Sequence, residues 1–540
     1  MIDLRPRTNR RGYPAPASEA TNRTAFRGRR GGFRTTSGSN AGGDAFRPRR
    51  PYHGLSGLGL PIEPRIHLSP PPHRRFHVIG KVFKANDVRA IYPRPLNEKV
   101  AWQVGHGSAI HLLAQAREAG RLDPMARAVV VGHDMRKSSP ALVASLVDGL
   151  RDGGARVIDI GLVDTPAVYF AINRFDTAGG IEVTASHNPA NYNGFKISGL
   201  HARPIGTGTG LEEVKRLSAM ADRQRTPSSG TTIERRDIWP DYRDFLLERL
   251  DPRIRSGERR FRIAVDASNG MAGAMIPAIF GEVAGLELIE LNFEMPGTFV
   301  HEPNPLVESN LAEVREAVRT RKADFGVCFD GDADRCMIVD EFGRTVGCDL
   351  QLAWMVRPVL KANPGAAIVY DVRSSRAVRE AIEKGGGIPV ESRVGHVFMK
   401  EALRTSGAPI GGELSGHFYF ADHFGTDSGA RSFIEVCNLL ADGGTVSKAV
   451  APHDRYARSG EINFEVESIE EAMELIDGEL GEHEASRLDG VSHDLGDWWS
   501  NVRASNTEPL LRLNVEARNQ TTLDAALERF RNLLGSPVDH

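Results

Sequence analysis

From His77 onward, short and nearly continuous apolar runs alternate with segments whose apolar residues recur every three to four positions. The runs read as buried strands and the periodic segments as amphipathic helices, so their alternation predicts an α/β protein. RAVVVGHD (127–134) reads as a strand, PALVASLVDGLRDGG (140–154) as a helix ended by glycines, and ARVIDIGLV (155–163) as the next strand. The unit returns at FRIAVDASNG (261–270) with LELIELNF (286–293). It returns again at AAIVYDVRSS (366–375), AVREAIEKGGG (377–387) and IPVES (388–392). Shared texture without a close repeat predicts three similar α/β domains. The last segment differs: EINFEVES (461–468) alternates as a half-buried strand does, EEAMELIDGEL (470–480) is helical, and LLRLNVEAR (510–518) precedes a helix at TTLDAALERFRNLL (521–534). A smaller α+β domain is expected there. The expected divisions are a tail over 1–77 and domains over 78–236, 237–344, 345–455 and 456–540.

Charge separates the tail from the rest. Residues 1–75 carry fifteen arginines and no lysine against four acids, a balance of +11, whereas the whole 540-residue chain is at −2. Rich in Gly, Pro and Ser and without periodic apolar residues, this stretch is expected to be disordered. A disordered appendage, a transit peptide and translated sequence upstream of the true start are three readings of it, and its arginines could bind RNA through phosphate contacts. No apolar run approaches the roughly 18 residues of a membrane span. The four cysteines lack a CxxC spacing, which argues against a disulfide framework or structural zinc and for a reducing, cytoplasmic setting.

Four polar loops interrupt the apolar pattern. VTASHNPANYNGFK (183–196) is a strand ending in a turn-forming run, where α/β sheets bind ligands. Ser186 is a candidate nucleophile or phosphate carrier, with His187, Asn188 and Lys196 as donors; a helix-capping turn would look the same in isolation. DGDADR (330–335) stands between two strand-like runs. Asp330, Asp332 and Asp334 bring three carboxylates onto one loop, an oxygen cage suited to magnesium or calcium. They match EF-hand positions 1, 3 and 5 with Glu341 at 12, but Arg335 stands where glycine is needed and the flanks are not helical. GGELSGH (411–417) sets Glu413, Ser415 and His417 at alternate positions, able to receive sugar hydroxyls, with His417 able to exchange a proton. A Gly/Ser loop with a surface histidine is the plainer alternative. VRASNTEP (502–509) gathers Arg503, Ser505, Asn506 and Thr507 into a phosphate cradle or an ordinary turn before a strand. FKANDVRA (83–90) and VGHDMRKSSP (131–140) add basic loops.

In this order the loops resemble the active-serine, metal, sugar and phosphate loops of the α-D-phosphohexomutases, and the resemblance runs from about residue 78 to the end. It implies three α/β/α mixed-sheet domains and a smaller C-terminal α+β domain around a central cleft. The implied activity is intramolecular phosphoryl transfer through a phosphoserine and a hexose 1,6-bisphosphate, which also acts as activator. By resemblance, Ser186 is the phosphoserine and, with Asp330, Asp332 and Asp334, a ligand of Mg2+. Glu413 and Ser415 contact the sugar's 3- and 4-hydroxyls, His396 of RVGHVFMK (393–400) contacts sugar, and Arg503, Ser505, Asn506 and Thr507 clamp the non-reacting phosphate. Arg89, Lys196, Arg335 and His417 line the reaction centre, Lys196 and His417 handling protons. The chain departs from the family pattern at Asp87-Val88-Arg89-Ala90, where DIRG is usual, at Asn86, usually tyrosine, and at Val397, where serine is frequent.

GELSGH, TASHNP, HEPNPL (301–306) and DSG (427–429) are similar to the phosphomannomutase/phosphoglucomutase group. That implies interconversion of mannose 1- and 6-phosphates, with glucose phosphates as a second pair. Phosphoglucomutase and phosphoglucosamine mutase are the alternatives within the family, and a nucleic-acid-binding or scaffold role for the tail the alternative outside it. The expected partner is a hexose phosphate, for a monomer or dimer without membrane contact.

Overall fold

The computed structural model describes residues 79–224, 230–505 and 510–538. The expected Arg-rich tail, Asn506 and Thr507 lie outside the described residues. Four sheets follow one another along the chain. In the first, Ala128–His133, Arg156–Leu162 and Gly179–Val183 run parallel, and Tyr192–Ser198 and Val88–Ile91 extend one edge antiparallel. The second has Phe261–Asp266, Leu286–Leu291 and Phe325–Phe329 parallel, with Cys336–Val339 antiparallel beside the last. The third repeats this with Ala367–Asp371, Ile388–Ser392 and Ile410–Gly412 parallel and Phe418–Phe420 antiparallel. The fourth is antiparallel throughout, from Ala457–Glu465 to Trp498–Ala504 and Leu510–Ala517. The expected α/β architecture with a smaller terminal unit is the observed one.

The first three sheets share a plan that positions the chemistry. In each, a parallel strand buried along its whole length is followed by an antiparallel partner, and the hairpin between them carries a polar loop: 184–191, 330–335 and 413–417. Burial on both faces explains why Phe325–Phe329 is a continuous apolar run. In the fourth sheet Arg503 lies near the end of Trp498–Ala504 and Ser505 directly after it, and Leu510–Ala517 pairs antiparallel with that strand. One buried cluster runs through the first three sheets, from Phe170 through Phe325 and Phe329 to Phe418 and Phe433, so the three loops stand on a shared core. Phe464, Trp498 and Phe530 form the core of the fourth.

The longest helix, Glu98–Glu118, has no clear amphipathic stripe in the sequence. It crosses the helix Ser139–Asp152 so closely that a Cβ on Gly105 would lie 2.2 Å from the Leu146 carbonyl oxygen, and one on Gly149 would lie 2.1 Å from that of Trp102. Glycine on both helices permits the approach. Among the described residues no helix is long and apolar enough to cross a membrane.

Candidate active site

Ser186 is 3% exposed and sits at φ +50°, a left-handed conformation that a non-glycine residue keeps only when its surroundings impose it. Arg136 imposes it. This fully buried guanidinium donates to the carbonyl oxygens of Ser186 (2.8 Å), Asn188 (2.7 Å), Pro189 (2.6 Å) and Tyr192 (3.1 Å), and through Nε to Asp134 (2.9 Å). Asp134 also accepts from Thr184, whose hydroxyl in turn accepts the Ser186 N–H. The serine loop is therefore wrapped around one cation. Arg136→Met leaves Asp134 buried without its charge partner and is expected to cost about 3–5 kcal/mol in denaturant unfolding. A loss below about 1 kcal/mol would show that the loop holds its shape without the arginine.

The metal-type loop presses against this serine. A Cβ on Gly331 would lie 2.3 Å from the Ser186 carbonyl oxygen, which is why glycine stands between Asp330 and Asp332. Ser186 Oγ donates to Asp330 Oδ2 at 2.9 Å, and Arg335 Nε donates to the same oxygen at 2.9 Å. Lys196 Nζ donates to Asp332 and to Asp334, both at 2.6 Å, and Thr165 also donates to Asp332. His417 Nε2 faces Asp334 at 3.3 Å, while its Nδ1 lies 3.0 Å from Ser415 Oγ. Arg335 and His417 form a backbone bridge that ties the metal-type loop to the sugar-type loop.

Asp330, Asp332 and Asp334 are buried, and ligand oxygens from all three lie within 4.8 Å of one another. Burial and the neighbouring Asp334 charge push Asp330 up to about 7. Burial opposes ionisation of Asp334 too, but Lys196 and His417 outweigh it and hold that carboxyl well below the usual range. Asp332 Oδ1 accepts no hydrogen bond among the described residues, and Asp334 Oδ1 meets His417 Nε2 at 3.3 Å. Three buried carboxylates converging on one loop, one of them with an oxygen that has no donor, fit a hard divalent cation. Burial lowers the His417 imidazole, yet Asp334 and Asp427 prevail and raise it.

Glu413 is 2% exposed and accepts from Tyr419 Oη (2.5 Å) and from the Gly395 N–H (2.7 Å), next to His396 at the start of the helix His396–Ser406. Arg89 donates to Asn188 of the serine loop (2.6 Å) and to Asp87 (2.5 Å). Ser186, Lys196, Arg335, Asp330, Asp332, Asp334, Glu413, Ser415 and His417 thus form one connected set, with Arg89 and His396 at its margins. Arg503 joins it only through a relay of side chains described below. The motifs gave no role to Arg136, Asp134, Thr165 or Asp427, although VGHDMRKSSP (131–140) contains the first two and DSG (427–429) the last.

Fold and site together define a phosphotransferase of the phosphohexomutase class. Residues 80–221, 240–343 and 349–456 match the phosphoglucomutase/phosphomannomutase alpha/beta/alpha domains I, II and III, and 461–533 match the C-terminal domain. The chain belongs to the phosphoglucomutase/phosphomannomutase family. It is 37% identical over 458 residues to the phosphohexose mutases of Xanthomonas campestris pv. campestris (strain B100), covering 84% of this chain and 98% of that one. It is 36% identical over 464 residues to the phosphomannomutase of Escherichia coli K12, again covering 84% and 98%. A crystal structure of a phosphoglucomutase/phosphomannomutase family protein from Burkholderia thailandensis superposes with a TM-score of 0.74 at 31% identity, covering 84% of this chain and 96% of that one.

Proposed function

We propose that this protein is a phosphomannomutase that interconverts mannose 1-phosphate and mannose 6-phosphate through a phosphorylated Ser186, with glucose 1- and 6-phosphates as a second substrate pair. The observation that carries the reading is the 2.9 Å hydrogen bond from a buried serine hydroxyl to the first aspartate of a three-carboxylate loop. Asp330, Asp332 and Asp334, with an oxygen on Ser186, would hold Mg2+, which neutralises charge on the transferred phosphoryl group.

In the forward half-reaction the P–O bond to Ser186 Oγ breaks as a bond forms to the free hydroxyl of the bound hexose phosphate. That hydroxyl loses its proton to the protein, and hexose 1,6-bisphosphate results. After the sugar turns around, the other phosphoryl group returns to Ser186 and its former ester oxygen regains a proton. The contacts of His417 with Ser415 and Asp334 support it as the group that handles the proton in both steps. Lys196, charged between two carboxylates, balances them and lines the same centre. Glu413, Ser415 and His396 receive the sugar, while Arg503, Ser505, Asn506 and Thr507 grip the phosphate that is not reacting. Arg89 and Arg335 complete the positive lining.

Turnover of mannose, glucose and glucosamine 1-phosphates should fall in that order of kcat/KM, with glucosamine at least about tenfold below mannose, a difference of about 1.4 kcal/mol. Preference for glucosamine 1-phosphate would reassign the substrate and leave the reaction type standing.

A further inference from the structure

The phosphate-type arginine is held by a carboxylate that no motif contains. Glu461, on the strand Ala457–Glu465, accepts from Arg503 through Oε2; Arg373 lies 3.4 Å from the same oxygen, and Arg512 3.5 Å from Oε1. Arg373 is already neutralised by Asp371 at 2.6 Å, and Asp371 also accepts the Leu414 N–H between Glu413 and Ser415. This relay connects the fourth sheet to the sugar-type loop. Arg503 is 7% exposed, and its Nε–H and that of Arg512 are buried without an acceptor among the described residues. Two guanidiniums therefore offer unused donors while sharing one carboxylate. Among the described residues, with Arg373 balanced by Asp371, Arg503 and Arg512 against Glu461 leave one net positive charge for an arriving phosphate dianion.

We infer that Glu461 keeps the phosphate grip one charge short of its ligand, so that hexose bisphosphate can leave the clamp and return in the opposite orientation between half-reactions. The inference rests on the mutase reading above. A cycle that turns its intermediate around needs release as much as capture. A clamp that matched the dianion fully would bind more tightly and exchange more slowly.

Glu461→Gln keeps an oxygen acceptor for Arg503 and removes the charge. On a Ser186→Ala background, which blocks turnover, titration calorimetry with mannose 1-phosphate should show Kd falling about tenfold, the screened worth of one charge a few ångströms away. Adding Arg512→Gln should return Kd to within about twofold of the background, a rescue that a purely structural role would not produce. With Ser186 intact, Glu461→Gln should lower KM and kcat together. An unchanged or weaker Kd in a variant that unfolds like its parent would overturn the inference. If Glu461→Gln loses cooperative unfolding, Arg512→Gln alone carries the test, and failure to weaken binding about tenfold overturns the charge account. A Ser186→Ala parent that binds no hexose phosphate would bring down the functional reading itself. A parent that binds, with Glu461→Gln unmoved, removes only this inference.

Discussion

Ser186→Ala is expected to lower steady-state mutase turnover by about 10,000-fold or more, because no binding energy elsewhere in the site replaces a missing covalent carrier. The substitution is sterically mild. The backbone groups that shape the loop, the Ser186 N–H to Thr184 and the Ser186 carbonyl from Arg136, survive it. Only the hydroxyl that meets Asp330 at 2.9 Å is removed. Unfolding free energy should stay within about 1 kcal/mol of the parent, which separates lost chemistry from lost structure. Incubation with labelled glucose 1,6-bisphosphate should phosphorylate the parent at Ser186 and leave the variant unlabelled. A folded variant that keeps even about one per cent of parental turnover would remove Ser186 from the carrier role and require another nucleophile.

The four loops were legible as polar interruptions of an apolar pattern, but only the alternate aspartates between apolar strands pointed to a ligand locally; the other three read equally well as ordinary turns until taken together. Their meeting in space was legible only through the family resemblance. The physical reason they meet is the hairpin plan shared by three sheets, which no single loop states. Arg136 stayed hidden among ordinary basic residues because its role exists only once Ala128–His133 and Gly179–Val183 pair in parallel, His133 opposite Val183, which carries the serine loop over it. Glu461 read as one acid in an alternating strand, since its partners Arg503 and Arg373 arrive from 42 and 88 residues away. The helix Glu98–Glu118 was missed for the opposite reason. Gly105 and Gly107, which signal turns in isolation, stand where two neighbouring helices touch its backbone. Ile233–Arg235, in a polar segment, pairs as an edge strand, and an edge with exposed side chains needs no apolar pattern to form.

Lys196→Met is expected to separate the electrostatic roles inside the acidic loop. Lys196 is 12% exposed and bonds Asp332 and Asp334, which are 0% and 1% exposed, so its loss leaves two buried carboxylates without their nearest cation. In metal-free buffer this should cost about 3–5 kcal/mol in unfolding free energy. With all three ionised, as a bound cation requires, the aspartates outnumber Lys196 and Arg335 by one, and removing the lysine makes the excess two. A divalent cation should therefore be drawn in more strongly, and saturating Mg2+ should raise the variant's melting temperature more than the parent's, by mass action on the folded state alone. Activity should not follow stability. With Mg2+ present and the fold restored, kcat should remain down by about 100-fold or more, because a cation lining the reaction centre would still be missing. Equal Mg2+ stabilisation of parent and variant would mean that the aspartates do not form the metal cage. Recovery of kcat along with the melting temperature would confine Lys196 to holding the loop together.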